Sequence, residues 1–479
     1  MKRSNIQEFN QIKLSGADET DKLFKKFKLT TFLNQTGIVK EKGHRIEKLI
    51  FIMLLIMLED SRSLFQGMAK MFSTKYKTPV NDFLNNKNYN WRNFLYKIAK
   101  RSQDLFCARS NQENMLIFDD TSKKKTGFKI EYLSWFRDHC KNKYFKGFQM
   151  IVAAQFNGKS INPIDFELKI GKQATKNSKR KKYPKKSHIE QRVRFAKQKK
   201  TEIVLQMLKR AVQRKFDFRY ILWDSWFNCN LILKYVFQVL KFKNIDLISM
   251  VKRGNKKYKF GDNFYTIKEL YRKAGRWHRD SVSGIKHKPI FVWVLDVDSK
   301  MKTSERDILG QIKLCFYKYP DVKKFKVIMS TNLELSEMEV LEKYLCRWAI
   351  EVMFRDMKQY FGYDQNKASK YSAQIADFTI RCVFYIMFNY RKEKEPQSSM
   401  YQVLLKFKTD LFESLLDRYV KLCIIKRFKE ILYYAKDLGY TQIDELIKDS
   451  DDVLELFFKC DVPIDKIQEI DNPKFSKVA

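Results

Sequence analysis

Four polar residues stand at helical spacings in the stretch YLCRWAIEVMFRDMK: Tyr344, Arg347, Glu351 and Lys358. On one α-helix, at about 100° per residue, all four fall within an arc of about 60°. The other positions are mostly apolar, so the sequence predicts a buried helix with a narrow polar stripe. Its carboxylate can hold a metal ion and its cations can hold phosphate. A solvated helix face with ion pairs is the alternative interpretation.

Two further acids follow short apolar runs that are typical of β-strands. Asp120 follows MLIF in FDDTS, and Asp224 follows YILW in WDSWF. Because the carboxyl ends of neighbouring strands meet at one edge of an α/β sheet, we expect both acids to converge with Glu351. Three close carboxylates need cations to stay ionised, and two Mg²⁺ ions about 3.5–4 Å apart would supply them. Taken singly, an aspartate at a strand end is more often a turn or helix cap.

Two such ions would support in-line displacement at phosphorus without a covalent enzyme intermediate. One ion would activate a water or a DNA 3′-hydroxyl, and the other would stabilise the leaving oxygen. Mn²⁺ is expected to substitute for Mg²⁺, since both prefer hard oxygen ligands.

The stretch around Glu351 resembles the signature of insertion-sequence DDE transposases, in the branch with a Y-R-E-K motif. The preceding VIMSTNLELSEMEVLEKYLCRW is similar to the family's strand ending in Ser-Thr-Asn, helix entry, Tyr and Arg-Trp. The resemblance covers about residues 111–370. It implies catalytic and metal-binding roles for Asp120, Asp224 and Glu351. Asp119 ranks below Asp120 because the family's aspartate directly precedes a threonine.

The resemblance also implies DNA contacts. Arg347 and Lys358 would grip phosphates beside the scissile bond, and Tyr344 would bond the DNA backbone or position a strand end. The basic run SKRKKYPKKSH, with Lys181 and Lys182, is predicted to be a DNA-contacting loop, although a solvated charged loop is the alternative.

A base-stacking aromatic residue is a further implication of the resemblance, which places it in a β-rich insertion. Trp277 and Trp293 are the candidates, and Trp277, between Arg276 and His278, is the preferred stacking residue; a core position for both is the alternative. Trp293 lies inside the apolar run PIFVWVLDV and is expected in the core.

Bulk composition favours a polyanionic partner. Lys and Arg number 95 against 55 Asp and Glu, a formal net charge of +40, although a lysine-rich genome contributes to this excess. The 8 cysteines are spread without a C-x-x-C pair, which argues against a structural zinc site and a disulfide framework. The apolar run 49–58 is too short for a membrane span of roughly 20 residues. We expect a cytoplasmic, nucleoid-associated protein with no membrane partner.

The order of predicted elements favours an α/β fold: an RNase H-like catalytic core with a β-rich insertion, flanked by helical N- and C-terminal regions. Segment 391–399 (RKEKEPQSS) is predicted to be a polar linker. The predicted regions are a helical DNA-binding or packing domain (1–110), the first part of the core (111–254), the insertion (255–325), the last core strand with the catalytic helix (326–390), and a helical C-terminal domain suited to dimerisation (391–479).

These patterns predict a transposase that cleaves element ends and joins them to target DNA. Its expected partners are double-stranded DNA and, in the synaptic complex, a second copy of the chain. Two alternatives stay open: a metal-dependent nuclease without strand transfer, and a domesticated DNA-binding protein without activity.

Overall fold

The computed structural model describes residues 19–39, 46–58, 77–107, 114–138 except 128, 142–172, 183–296, 307–395 except 321 and 323, and 398–413 except 412. The chain divides into two compact units. The sheet unit is Ala99–Met357, and the helical unit is Met1–Ile98 with Lys358–Ala479.

Helices occupy most of the described part of the first hundred residues. They are α1 (Glu19–Lys26), α2 (Leu29–Gln35), α3 (Ile46–Leu58), α4 (Lys77–Asn85) and α5 (Trp91–Cys107). Helix α3 is 13 residues long and buried at nearly every position. Within the described ranges, the search for a helix long and apolar enough to cross a membrane found none.

The sheet unit is built around one mixed sheet with twelve described strands. They are β1 (Met115–Lys124), β2 (Ser134–Asp138), β3 (Lys143–Phe156), β4 (Ile161–Lys169), β5 (Tyr220–Trp223), β6 (Asp246–Met250), β7 (Lys257–Phe260), β8 (Asn263–Thr266), β9 (His278–Arg279), β10 (Lys286–Leu295), β11 (Ile308–Lys318) and β12 (Lys326–Ser330).

Strand β1 lies at the centre of the part of the sheet that positions the candidate site. It pairs antiparallel with β3 and parallel with β5, and β5 pairs parallel with β6. Strands β2 and β4 each pair antiparallel with β3, along the edge that faces away from β1. Beyond β6, strand β12 carries the sheet on to β11, β10, β7 and β8. The mixed α/β class is therefore confirmed.

Strand β1 is longer than its sequence suggested. We expected it to end before Asp120, but it continues to Lys124. Its parallel pairing with β5 stops at Phe118, whereas its antiparallel pairing with β3 continues as far as Gly147. The length of β3 thus extends β1 past both acids.

Six described α-helices follow β4 in the sheet unit, and the last of them ends two residues beyond it. They are α6 (His188–Ala196), α7 (Lys200–Gln213), α8 (Asn230–Tyr235), α9 (Ile267–Lys273), α10 (Glu337–Leu345) and α11 (Trp348–Gln359).

The stretch predicted as one helix is two helices, α10 and α11. Between them the backbone tightens into bonds three residues apart: Arg347 N donates to Tyr344 O at 3.0 Å, and Ile350 N donates to Arg347 O at 3.2 Å. The prediction of one continuous helix with a common polar arc is wrong. Tyr344 lies on α10, Arg347 in the turn, and Glu351 on α11.

The helical unit contains the longest described helix, α12 (Tyr371–Lys394), which is buried at every position from Tyr371 to Tyr390. Its last four residues, 391–394, fall in the predicted polar linker, so that prediction is wrong there. Their basic side chains favour a helix carboxyl end because they offset the helix dipole. Residues 400–411 are also helical.

Candidate active site

Asp119 and Asp120 point to opposite faces of β1, because successive side chains of a strand alternate. Asp119 faces the turn between α10 and α11, where its Oδ2 accepts from Nη1 of Arg347 at 3.0 Å. Its Oδ1 accepts from the backbone N–H of Asp120 at 2.8 Å.

Arg347 links two carboxylates that come from distant parts of the chain. Its Nη1 bonds Asp119, and its Nη2 donates to Oε1 of Glu351 at 2.6 Å. Its Nε is buried and has no hydrogen-bond partner in the described part of the chain. One guanidinium therefore holds β1 and α11 together.

Tyr344 and Asp224 border this cluster. Burial raises the pKa of the Tyr344 hydroxyl; the positive charge of Arg347 opposes this, and the negative charges of Asp224 and Asp119 add to it. The Tyr344 hydroxyl therefore lies within electrostatic reach of both aspartates. Of the predicted site residues, Arg347 and Glu351 are bonded to each other, and Tyr344 and Asp224 interact electrostatically.

Asp224 directly follows β5 and caps the short 3₁₀-helix Ser225–Phe227, with its carboxylate accepting from the Ser225 N–H. The cap expected of an isolated strand-end aspartate is therefore present. The parallel register pairs Phe118 with Trp223. Asp119 and Asp224 directly follow this pair, so they lie at the same height along the two neighbouring strands.

Asn228 anchors the loop after Asp224 and was missed in the sequence. Its Oδ1 accepts from Nε1 of Trp223 at 2.7 Å and from Oγ of Ser249 at 2.8 Å, and its Nδ2 donates to Met250 O at 2.7 Å. These bonds tie the loop to β6. A polar residue just after an apolar strand was the only signal.

Asp120 belongs to a different cluster on the other face of β1. Its Oδ1 accepts from Nζ of Lys200 at 2.8 Å, and its Oδ2 accepts from Nε2 of Gln149 at 2.5 Å. The structure therefore does not bring Asp120 together with Arg347 and Glu351. Neither Lys200 nor Gln149 was singled out in the sequence, and nothing local to either residue indicates the contact.

The electrostatics of the Asp119 cluster oppose an ionised Asp119. Burial raises the pKa of Asp119 to about 7; Arg347 lowers it, and the charges of Asp120 and Glu351 raise it further. Burial disfavours the charge of Arg347 too, but Asp119, Tyr344 and Glu351 outweigh this and raise the pKa of Arg347. The guanidinium is therefore the cation that compensates these acids.

The donor set has the chemistry that Mg²⁺ prefers, because Asp119, Asp224 and Glu351 offer hard carboxylate oxygens. The placement differs: within the described ranges, no group of three or more His, Cys, Asp or Glu side chains is positioned to hold a metal ion. Arg347 stands between two of the acids. The oxygens therefore suit a metal ion, and in this structure the Arg347 guanidinium takes the place between Asp119 and Glu351.

Of the three predicted DNA-binding lysines, two lie outside the described residues and one lies on α11. Lys181 and Lys182 are outside the described residues. Lys358, in the last turn of α11, falls in the helical unit, and its ammonium lies 5.8 Å from the ring centroid of Tyr363.

Of the two tryptophans of the predicted insertion, Trp293 differs from expectation, and the stacking role of Trp277 stays a prediction. Trp277 packs edge-on against Tyr271 at 5.9 Å between ring centroids, with the Lys288 ammonium 5.0 Å from its own ring centroid. Trp293 is 39% exposed, so its predicted place in the core is wrong. The alternation of β10 buries its neighbour Val294 instead.

Comparison with protein families gives one match. Residues 38–306 match the model of the DDE superfamily endonuclease family. Because this is more than half of the chain, the protein belongs to that family. No curated protein matches the sequence. The matched region contains Asp119, Asp120 and Asp224 and ends before Glu351.

Membership in this family makes the protein a transposase-like nuclease with DNA as its substrate. The family generally uses divalent metal ions such as Mg²⁺.

Proposed function

We propose that this protein is an insertion-sequence transposase, of the branch with the Y-R-E-K signature, which cleaves element ends and joins them to target DNA. One observation carries the proposal: Arg347 bonds both Asp119 of β1 and Glu351 of α11, at 3.0 and 2.6 Å. Two members of the Y-R-E-K set thus meet an acid of the central strand, which supports a phosphoryl-transfer centre.

The strand order supports an RNase H-like core. Strands β4, β3, β1, β5 and β6 lie side by side in that order, with β3 antiparallel to β1 and both β5 and β6 parallel to it. Strands β7 to β11 lie between β6 and β12 in the chain, where the β-rich insertion is expected.

The proposed catalytic and metal-binding carboxylates are Asp224, Glu351 and an aspartate of β1. Mg²⁺, as two ions, is the proposed cofactor, and Mn²⁺ can take its place. Arg347 and Tyr344 are the proposed DNA-contacting residues of the cluster, because guanidinium groups bind phosphate strongly.

Other parts of the chain supply the remaining DNA contacts in this proposal. They are Lys358, Lys181, Lys182 and Trp277. The net charge of +40 supports a polyanionic partner. We propose that two copies of the chain act together on paired double-stranded ends, at the nucleoid.

An assay of both reactions tests this function. The full-length protein is incubated with Mg²⁺ and the DNA that flanks its coding region, and with pre-cut ends and a target plasmid. We expect cleavage at the element ends and joined products, both lost in Glu351→Gln and both kept in Glu342→Gln, an exposed glutamate of α10.

The outcomes separate the alternatives. Cleavage without joining would favour a nuclease that lacks strand transfer. Binding without either reaction would favour a DNA-binding protein. Robust cleavage in EDTA would contradict the need for a metal ion.

A further inference from the structure

The two adjacent acids of β1 have different surroundings, although the sequence gives them the same context. Asp119 shares Arg347 with Glu351, whereas Asp120 bonds Lys200 and Gln149 on the opposite face. A strand cannot turn both side chains to one face without a bulge, and β1 pairs with β3 in unbroken register through both residues.

The parallel register gives a second, independent observation. It pairs Phe118 with Trp223, so the residues that follow, Asp119 and Asp224, leave the β1–β5 ladder at the same level. The negative charges of Asp224 and Asp119 both raise the pKa of the Tyr344 hydroxyl, which agrees with this placement of the two acids. Asp120 contributes to neither relationship.

We propose that Asp119, and not Asp120, supplies the first carboxylate of the catalytic site, and that Asp120 is a positioning residue. This rests on the proposed function, and it departs from the choice implied by the resemblance, in which the aspartate directly precedes a threonine. In this chain the face of the strand, rather than the following residue, selects the acid.

Asp120 has a defined structural task. It ties β1 to the first turn of α7 through Lys200 and to β3 through Gln149. The Lys200 ammonium also lies 5.9 Å from the ring centroid of Phe227, in the 3₁₀-helix that Asp224 caps. Asp120 therefore acts on the site indirectly, through the position of Lys200 behind the Asp224 loop.

Arg347 occupies both acids in the described part of the chain. It is bonded to Oδ2 of Asp119 and to Oε1 of Glu351. A metal ion, which would neutralise the charge of Asp119 and Glu351, would be held in exchange for this guanidinium. A DNA phosphate is a suitable new acceptor for it, because guanidinium groups bind phosphate strongly.

Matched variants test the choice between the acids. Full-length Asp119→Asn and Asp120→Asn are compared in Mg²⁺-dependent cleavage, with circular dichroism as the folding control. We expect cleavage to fall by about three orders of magnitude or more in Asp119→Asn. In Asp120→Asn we expect a loss of about tenfold, as for other groups that only orient a ligand.

Mn²⁺ binding supplies a readout that does not need activity. Paramagnetic resonance of Mn²⁺ is measured in the Arg347→Gln background, where the guanidinium no longer competes. We expect Asp119→Asn to remove the bound ion and Asp120→Asn to keep it. Lys200→Gln should reproduce the modest cleavage loss of Asp120→Asn, because both break the same ion pair.

A folded Asp120→Asn protein that has lost both Mn²⁺ binding and cleavage would overturn the proposal, whatever Asp119→Asn does. So would an Asp119→Asn protein that keeps both. If the wild-type chain cleaves no DNA, the proposed function fails, and the Mn²⁺ comparison still decides between the two acids.

Discussion

Two groups of ion pairs in the sheet unit are made of the same kinds of side chain but have different roles. On β4, Asp165 bonds Arg210 at 2.7 Å, and Glu167 lies 3.4 Å from Arg192, with both acids at most 1% exposed. In the site cluster, the acids at Arg347 are partly exposed, Asp119 at 18% and Glu351 at 34%.

The difference shows which pairs serve the fold. The β4 pairs join the sheet to α6 and α7, and their acids are buried away from any ligand. In the site cluster one guanidinium serves two acids beside solvent, so an incoming cation or phosphate can exchange with it. Burial and sharing, rather than residue type, separate a structural pair from a reactive one.

The largest expected effect on stability lies on β4. We expect Glu167→Gln and Asp165→Asn each to lower the free energy of unfolding by about 3–5 kcal/mol, because each breaks an ion pair whose acid is fully buried. Glu351→Gln should change it by less than about 1 kcal/mol, since that acid is partly exposed. Urea unfolding measures all three, and equal losses would refute the comparison.

The protonation of Asp119 should contribute to the pH dependence of the free energy of unfolding. Its pKa of about 7 in the folded protein exceeds the ordinary 3.8, so the folded state binds this proton more tightly than the unfolded state. The contribution of Asp119 to stability therefore falls as pH rises between these values, by up to about 1.4 kcal/mol per pH unit. Asp119→Asn should flatten the unfolding curve in this window, and Asp165→Asn should not. An unchanged slope in Asp119→Asn would argue against a buried, protonatable Asp119.

Arg347 should compete with metal ions when DNA is absent. We expect Arg347→Gln to bind Mn²⁺ about tenfold more tightly than the wild type, a difference of about 1.4 kcal/mol. Calorimetric titration at a pH above 7 measures this, with Arg355→Gln, an exposed arginine of α11, as the control. Weaker Mn²⁺ binding in Arg347→Gln would show that the guanidinium supports the metal site.

The smallest expected effect of a substitution is on the salt dependence of DNA binding. Wild-type affinity should fall roughly 10³–10⁵-fold between 50 and 200 mM salt if six to ten phosphates are neutralised. Arg347→Gln should reduce the slope of this salt dependence by about one, while Glu167→Gln leaves it unchanged. Filter binding in Ca²⁺ measures both slopes. If the wild-type affinity for DNA does not change with salt concentration, the positive charge of the protein does not bind DNA phosphates.

Local sequence patterns predicted several elements well. Apolar runs located β5 and β6, helical periodicity located α7, and Asn157-Gly158 indicated the hairpin between β3 and β4. In that hairpin Gly158 adopts a φ of 88°, which favours glycine. These elements depend on their own residues, so the sequence is sufficient for them.

The site partners depend on contacts that no local pattern contains. Arg347 and Asp119 are 228 residues apart, and Lys200 and Asp120 are 80 apart. Which acid of β1 faces Glu351 follows from strand alternation and from the pairing with β3, which carries the strand beyond the predicted end. The break before α11 likewise lies in backbone bonds that apolar periodicity does not predict.

The most direct test of the central claim is the joining of pre-cut element ends to target DNA, measured in single turnover with Mg²⁺. Glu351→Gln and Glu167→Gln are compared with the wild type at a temperature where both variants are folded. The account predicts no joining by Glu351→Gln and a wild-type rate per folded molecule for Glu167→Gln. Joining by Glu351→Gln at a rate near that of the wild type would contradict it.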